Sequence, residues 1–304
     1  MRGTVDRIRL APHLTVLRRD DHDLQLGFDV DDAVVLADPD GSLATVLGLM
    51  DGRYRLPELQ TVAQHHGVEP ERLDHLLTTL ASSGLLEPPP SRGPAAASVR
   101  LIGSGDVVAA IGDQLLRAGV GRLLVVDPDA PTWTESGPRR VRLDHRQRVQ
   151  RFEHWSQPEL DAADLTVVAS SCLEPDRALA AELTQADHPH LWVRPRTRGA
   201  VLGPFVLPGR TSCLRCGDLR RTRTDSAWPR MLAQLCRTRG RWDPLAVDWT
   251  AALVTTQVLG HLAGRTIETA AATVELGPLD WSWQRRVWPA DPACGCCWDP
   301  RAEW

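Results

Sequence analysis

The chain of 304 residues contains no lysine, so all 35 of its basic residues are arginine. This absence excludes a lysine nucleophile, a Schiff base and the lysine of a phosphate-binding P-loop. Long apolar runs are also missing, and the first ten residues carry charges where a signal peptide would have its apolar stretch. We therefore expect a cytoplasmic protein that has no membrane partner.

The chain also has little excess charge of either sign. The net charge of −4 gives no bulk field that would attract nucleic acid or a membrane surface. The length suffices for two domains with a sizeable core. Seven cysteines in a cytoplasmic chain indicate metal or redox chemistry before disulfide bonds.

A first domain is predicted over residues 1–90. Alternation of apolar and polar residues predicts short strands around Val16, at Leu24–Phe28 and at Ala33–Leu36. Ser42 is placed to cap a helix that runs to Met50, and two further helices follow before residue 87. Three strands and three helices in fewer than a hundred residues predict a winged-helix domain.

A winged helix usually suggests DNA binding, but the last helix of this domain has three acidic residues near its start and only Arg72 to offset them. We instead expect the edge of the third strand to accept an extended peptide as an added strand beside that helix. The alternative is that these residues only form the core. The predicted peptide-binding residues are Ala33, Val34, Val35, Leu36, Arg72, His75, Leu76 and Thr79.

A proline-rich linker leads to a second domain, residues 91–304. Its first segment, Ser98–Asp129, has the pattern of strand, glycine turn, helix and strand, which is one βαβ unit of a doubly wound parallel sheet. Further strands are predicted at Arg140–Leu143, Asp164–Ala169, His190–Val193, residues 201–207, Ala271–Leu276 and Trp281–Val287, and a long apolar helix at Trp249–Ala263.

The glycine turn matches the glycine motif, or fingerprint, of dinucleotide-binding sites only in part. Gly103 and Gly105 could admit a phosphate to the helix N-terminus, and Asp127 could hold a ribose. However, Val108 occupies the place of the third glycine, and Asp106 puts a carboxylate where the phosphates would lie. The pattern predicts the fold more clearly than it predicts a nucleotide.

The cysteines form two pairs with metal-ligand spacing. Cys213 and Cys216 are separated by two residues, and Cys294 and Cys297 repeat that spacing. Two such pairs complete a tetrahedral Zn²⁺ site, and four thiolates leave no open position for water, so the zinc would be structural. Cys296 is the rival for the last ligand.

These segments together resemble a known family. GSGDVVAAIGDQLLRAGVGRLLVVDPD resembles the E1/ThiF-like adenylating fold, and GPFVLPGRTSCLRCGDLRR, TDSAWP and DPACGCC resemble its zinc knuckles. The best resemblance is to the ocin-ThiF-like partners of YcaO cyclodehydratases in azole-modified peptide biosynthesis, the TOMM class that includes thiopeptides. LQLGFDVDDAVVLADPDGSLATVLGLMDG resembles the PqqD-like recognition element of the same proteins.

The resemblance implies an α/β protein in which a PqqD-like winged helix precedes a Rossmann-like E1/ThiF-type domain with a zinc knuckle. It implies an adaptor that binds the leader of a ribosomally made precursor peptide. The adaptor would present the core peptide to a separate YcaO enzyme, which uses ATP to convert Cys, Ser or Thr to azolines. In E1-like enzymes a magnesium-binding acid follows the strand that matches Leu165–Val168, and Ser171 stands at that place here. We therefore expect no catalytic residue and no ATP–Mg²⁺ in this chain.

Two alternatives stay open. An active adenylyltransferase would use Asp127 on the ribose and Asp129 or Asp164 on magnesium, although turn acids are common for structural reasons. The Trp249–Ala263 helix could serve a homodimer, as E1-like folds often pair, or it could belong to the core.

Overall fold

The computed structural model describes residues 7–11, 14–28, 33–87, 93–127, 148–152, 154–155, 162–197, 199–277 and 282–298. The chain divides into two compact units, Met1–Ser91 and Arg92–Trp304. The strand predicted at Arg140–Leu143, together with Asp129 and Trp281, lies outside the described residues.

The first unit combines a three-stranded antiparallel sheet, in the order β1-β2-β3, with three helices. Apolar residues of β2 and the leucine stripe of the last helix, which includes Leu73 and Leu80, form its core because both sets point inward. The bounds are β1 Val16–Arg18, β2 Asp23–Leu26, β3 Val34–Ala37, α1 Ser42–Leu49, α2 Leu56–His65 and α3 Pro70–Ser82.

Helix α1 begins differently from the prediction. Ser42 does not cap it: the fully buried carboxylate of Asp38 accepts hydrogen bonds from the amides of Leu43 at 2.9 Å and Ala44 at 3.1 Å. The Ser42 hydroxyl donates instead to Asp40 at 2.7 Å. An aspartate before the helix satisfies two of its first N–H groups, and its charge suits the positive end of the helix dipole.

The second unit is built on one eight-stranded sheet in the order β11-β10-β9-β8-β7-β4-β5-β6. The five strands from β8 to β6 are parallel, and β9, β10 and β11 continue the sheet in antiparallel fashion. The strands are β4 Ser98–Gly103, β5 Arg122–Val126, β6 Arg148–Phe152, β7 Leu165–Ala169, β8 His190–Pro195, β9 Ala200–Val206, β10 Ala272–Gly277 and β11 Ser282–Val287. The helices are α4 Asp106–Arg117, α5 Arg177–Gln185, α6 Leu214–Thr224, α7 Trp228–Leu235 and α8 Pro244–Leu262.

Helices cover both faces of this sheet. One apolar core lies between the sheet and helices α4 and α8, and a second contains residues of α5 and three buried cysteines. Helix α8 begins at Pro244, five residues before the predicted start, because Asp243 caps it by accepting from the amide of Leu245 at 2.9 Å. Val254 and Val258 of α8 are fully buried, so this helix contributes to the core. No helix among the described residues is long and apolar enough to cross a membrane.

The strand order places a topological switch between β4 and β7. The chain leaves β4 towards β5 on one side and later returns to form β7 on the other. In sheets of this kind, ligands bind outside the carboxyl ends of the strands at that switch. The carboxyl ends of β4 and β7 are therefore one candidate ligand site, and the edge of β3 and the cysteines near the start of α6 are two others.

Candidate functional site

The outer edge of the small sheet is open. Main-chain hydrogen bonds show which residues of β2 pair with each neighbouring strand. The amide of Gly27, just after β2, donates to the carbonyl of Thr15, just before β1, at 2.8 Å. The amide of Asp38, just after β3, donates to the carbonyl of His22, just before β2, at 2.6 Å. Odd residues of β2 therefore bond to β1, and even residues bond to β3. The same alternation turns the odd-numbered residues of β3 away from β2. Within the described part of the chain, no strand pairs with β3 on that side.

The outward-facing groups of β3 belong to Val35 and Ala37. The Val35 side chain is 45% exposed and lies on the outer face of the sheet. The Ala37 carbonyl already has a donor, because the Arg72 guanidinium on α3 reaches it at 3.2 Å. The backbone groups that remain for an added strand are the N–H and C=O of Val35 and the N–H of Ala37.

Arg72 is held firmly at the end of this edge. Its guanidinium also donates to the carboxylate of Asp40 at 3.2 Å and to the hydroxyl of Ser42 at 3.1 Å. Hydrogen bonds from Ser42, with a smaller contribution from Arg72, lower the pKa of Asp40 to about 2. The carboxylate thus stays charged and keeps Arg72 across the end of β3.

The other predicted peptide-binding residues have different surroundings. His75 is exposed and Thr79 is half-buried on α3, whereas Leu76 is buried in the core of the unit and is not on the surface. Ala33, Val34 and Leu36 are half-buried. The structure therefore places Arg72 and the outward groups of β3 at one edge, and it assigns Leu76 to packing.

At the carboxyl end of β4, Gly103 serves close packing. Its φ of 142° is unfavourable for other residues, and an added Cβ would lie 2.3 Å from the carbonyl oxygen of Ala169 on β7. The same Cβ would approach the side chain of Val108 to 3.1 Å. The glycine is thus required by the contact between β4 and β7, with or without a phosphate.

The other fingerprint residues lie at the same edge of the sheet. Gly105, with a φ of 81°, precedes the first residue of α4, and its missing Cβ would meet open space. Asp106 begins that helix, so its carboxylate already occupies the favourable position at the positive end of the helix dipole. Asp127 is half-buried and directly follows β5.

The segment after β7 is covered by the chain itself. The amide of Leu173 donates to Thr238 at 2.9 Å, and the amide of Gly240 donates to Ser171 at 2.9 Å. Residues 171–173 and 238–240 therefore run side by side, with an antiparallel bridge at Cys172. The backbone at the position of the expected magnesium-binding acid is engaged in this pairing, and its side chain is that of a serine.

A buried ion network lies just beyond this pairing. Glu174, which is 4% exposed, accepts from Arg177 at 2.8 Å and pairs with Arg194 at 3.2 Å. Arg177 also binds both carboxylate oxygens of Asp218, at 2.8 and 3.0 Å. Burial lowers the pKa of Arg194, and the Glu174 carboxylate opposes that shift. The sequence did not predict this network, because its members come from three separate segments of the chain, around residues 174–177, at Arg194 and at Asp218.

Helices α6 and α7 are linked by stacked aromatic and cationic side chains. The guanidinium of Arg221 lies 4.7 Å from the ring centroid of Trp228 and 4.7 Å from that of Trp288. The Trp228 indole N–H also donates to Asp218 at 3.1 Å. These contacts join the cysteine-bearing helix α6 to Trp288, which directly follows β11.

Four thiols converge between the start of α6 and residues 288–298, the segment after β11 that we call the tail. The sulfurs of Cys213, Cys216, Cys294 and Cys296 all lie within 4.8 Å of one another. The Cys213–Cys294 sulfurs are 3.6 Å apart and the Cys216–Cys296 sulfurs 3.3 Å. Zinc–sulfur bonds of about 2.3 Å in a tetrahedron give sulfur–sulfur distances of about 3.8 Å. The donor set therefore fits one thiophilic ion.

The fourth member differs from the predicted set: the structure brings in Cys296 where Cys297 was expected. Gly295 adopts a φ of 70°, a turn that places the following residue inward, and Cys296 is only 6% exposed. The carbonyl of Cys296 is fixed by the amide of Gly209 at 3.0 Å. Cys297 remains half-buried beside the cluster.

The thiols cannot all ionise without a cation. Hydrogen bonds from the thiols of Cys213 and Cys296 lower the pKa of Cys216 to about 2, and the amide of Asp291 adds a bond to its sulfur at 3.3 Å. Burial and the neighbouring sulfurs raise the pKa of Cys294 to about 12. A divalent ion would allow all four thiols to ionise, because its positive charge balances the charge of the thiolates.

The similarity of this chain to known proteins is a similarity of fold. No family model and no curated protein matches the sequence. The crystal structure of Escherichia coli MccB with MccA has a TM-score of 0.64 at 13% identity, over 96% of this chain and 99% of that one. MccB with ATP gives 0.62 at 13% identity, over 95% and 99%. A heterocyclase in complex with substrate and cofactor gives 0.59 at 19% identity, over 97% of this chain but 40% of that one. The chain therefore has the mixed α/β, ThiF-like fold of MccB.

Proposed function

We propose that the protein is a non-catalytic adaptor that binds the leader of a ribosomally made precursor peptide through a PqqD-like winged helix. The observation that carries the proposal is the open edge of β3, where the backbone groups of Val35 point away from the sheet. An extended peptide that pairs there gains main-chain hydrogen bonds, which is the general basis of strand addition. MccB has been crystallised with the peptide MccA, and its fold covers nearly all of this chain.

The partner of the adaptor would be a separate YcaO cyclodehydratase that forms azolines with ATP. The heterocyclase of similar fold is much longer, and this chain spans 40% of it. We infer that the remaining part of such an enzyme is supplied here by another protein. Holding the leader would keep the core peptide at a high effective concentration near the partner's active site.

The carboxyl edge of the large sheet supports the non-catalytic assignment. Adenylyl transfer needs a cation to balance the charge that develops on the phosphates. Ser171 replaces the expected acid, its carbonyl is bonded to Gly240, and the chain has no lysine. An active adenylyltransferase is the alternative, and Asp127 is the residue on which it would depend.

We also propose that the thiols of Cys213, Cys216, Cys294 and Cys296 hold a structural Zn²⁺. Four thiolates would leave no coordination position for water or substrate, so the ion would supply stability and no chemistry on the peptide. The residues themselves would join the start of α6 to the tail. Closure of the site is the reason for assigning it no role in catalysis.

The test is a titration of the fluorescently labelled leader of the precursor peptide encoded beside this gene against the full chain. We expect binding that does not depend on ATP–Mg²⁺. Val35→Pro removes an outward N–H without breaking a bond to β2, so affinity should fall by at least about tenfold. Val35→Thr keeps the N–H and is the matched control.

Equal affinities of the two Val35 variants would contradict recognition at this edge. Binding that requires ATP–Mg²⁺, or nucleotide-dependent pyrophosphate exchange with the peptide, would favour the adenylyltransferase. Azoline formation by the YcaO enzyme should slow with Val35→Pro and recover at high precursor concentration, because the variant weakens capture only.

A further inference from the structure

We propose that Cys297 is a reserve ligand of the thiol cluster and takes the fourth position when Cys296 leaves it. The inference rests on the proposed metal site and goes beyond it, since it assigns a fifth thiol to a four-thiol site. In the exchange Cys297 gives up its thiol proton and Cys296 takes one up, so the charge of the site does not change.

The distance between the two adjacent sulfurs is the first observation. The Sγ atoms of Cys296 and Cys297 lie 3.7 Å apart. This is nearly the distance of about 3.8 Å that separates two ligands of one tetrahedral zinc site. Neighbouring side chains of an extended chain point to opposite sides, so the local turn has brought both thiols to the same side.

The spacing along the chain is the second observation. Cys294 and Cys297 are separated by two residues, as are Cys213 and Cys216, and this spacing suits two ligands of one ion. A loop with Gly295 at its turn can therefore present Cys297 as well as Cys296.

The main chain is held on both sides of Cys297. Gly209 donates its amide to the carbonyl of Cys296 at 3.0 Å, and its own carbonyl accepts from the amide of Trp298 at 2.9 Å. The ends of this three-residue segment are thus fixed, so an exchange of ligands is a change in which side chain turns inward. The tail would stay anchored through either cysteine.

The experiment uses full-length protein, with Zn²⁺ and Co²⁺ as probes. Metal stoichiometry is measured by native mass spectrometry, affinity by chelator competition, and the ligand set by the Co²⁺ absorption spectrum. The variants are Cys296→Ser, Cys297→Ser and the double variant Cys296→Ser/Cys297→Ser. Circular dichroism reports whether each variant is folded.

We expect Cys297→Ser to bind one metal as the parent does. Cys296→Ser should keep one metal and a four-thiolate Co²⁺ spectrum, with affinity reduced about tenfold. The double variant leaves only three thiols at the site and should lose affinity by at least about a thousandfold. The decisive pair, Cys296→Ser and the double variant, differs only in the Cys297 thiol.

Alkylation provides a second measurement on folded protein. In the metal-loaded parent Cys297 should react with iodoacetamide while Cys296 is protected, and in Cys296→Ser the protection should pass to Cys297. Equal metal loss in Cys296→Ser and the double variant would overturn the proposal, as would metal loss on Cys297→Ser alone. A parent chain that binds no metal would overturn the metal site as well, which separates the two failures.

Discussion

Two edges of the molecule offer very different backbones to a ligand. At β3 the N–H and C=O of Val35 point away from the sheet, with no strand beside them in the described part of the chain. At the carboxyl ends of β4 and β7, Gly103 is packed against Ala169, and residues 171–173 are already paired with 238–240. Doubly wound sheets in general bind ligands at the second edge, but the hydrogen-bonding groups here favour the first.

The largest effect that would test this contrast is the loss of stability expected when Gly103 is replaced. Gly103→Ala places a Cβ 2.3 Å from a main-chain oxygen of β7 and keeps a φ that alanine disfavours. We expect the free energy of unfolding to fall by about 4 kcal/mol, measured by denaturant titration. Gly260→Ala on α8 is the control, because its Cβ would have only one ordinary contact at 4.0 Å, and alanine favours helix. Similar stabilities of the two variants would show that β4 and β7 are not closely packed.

We call the edge at the carboxyl ends of β4 and β7 the closed edge, because residues 171–173 and 238–240 pair there. A somewhat smaller effect is expected at the ion network beside this closed edge. Glu174→Gln leaves the buried Arg194 without its carboxylate, which should cost about 3 kcal/mol of unfolding free energy. Glu268→Gln is the matched change at the exposed pair with Arg285, whose side chains are 71% and 40% exposed, and should cost less than about 1 kcal/mol. A loss of equal size at both sites would mean that the network does not hold the edge closed.

The sequence predicted the parts of this contrast that depend on local pattern. The βαβ unit, the β3 strand and the C-x-x-C spacing were visible because glycine turns, alternation and ligand spacing are local properties. The start of α8 at Pro244 was missed, since its cap, Asp243, precedes the apolar run. The choice of Cys296 over Cys297 was beyond the sequence, because it depends on a turn at Gly295 and on bonds to distant Gly209.

The closed edge itself was also beyond the sequence. The pairing of 171–173 with 238–240 joins segments more than sixty residues apart, and neither has strand-like alternation. Gly103 was predicted as a glycine that admits phosphate, and the structure shows a packing reason for the same residue. A glycine in a fingerprint can therefore be explained by either use, and only the three-dimensional neighbours distinguish them.

The sheet core should also show a pH dependence. Burial, the dominant cause, lowers the pKa of His190 to about 4, below its usual value of 6.5. Between these values the unfolded chain binds a proton that the folded chain does not, so stability falls as the pH is lowered from 6.5 towards 4, by about 1.4 kcal/mol per pH unit.

The His190→Leu variant should have a flatter stability profile in that pH window, measured by denaturant titration at several pH values. Buried Thr250, which does not titrate, supplies the control, because Thr250→Val should keep the parent's slope. A parent slope in the His190→Leu protein would show that other groups cause the acid sensitivity.

The smallest expected effect is that of a nucleotide on the closed edge. A ligand at a hundred times its Kd stabilises by about 2.7 kcal/mol, which would raise the melting temperature by about 5 °C in a unit of this size. We expect ATP–Mg²⁺ at about 1 mM to move it by less than about 1 °C, because Ser171 and Gly240 use their main-chain groups on each other. Asp127→Asn is the discriminating variant. A clear shift in the parent that disappears in Asp127→Asn would mean that the edge takes a nucleotide, and the adenylyltransferase would then replace the adaptor as the better account of the large sheet.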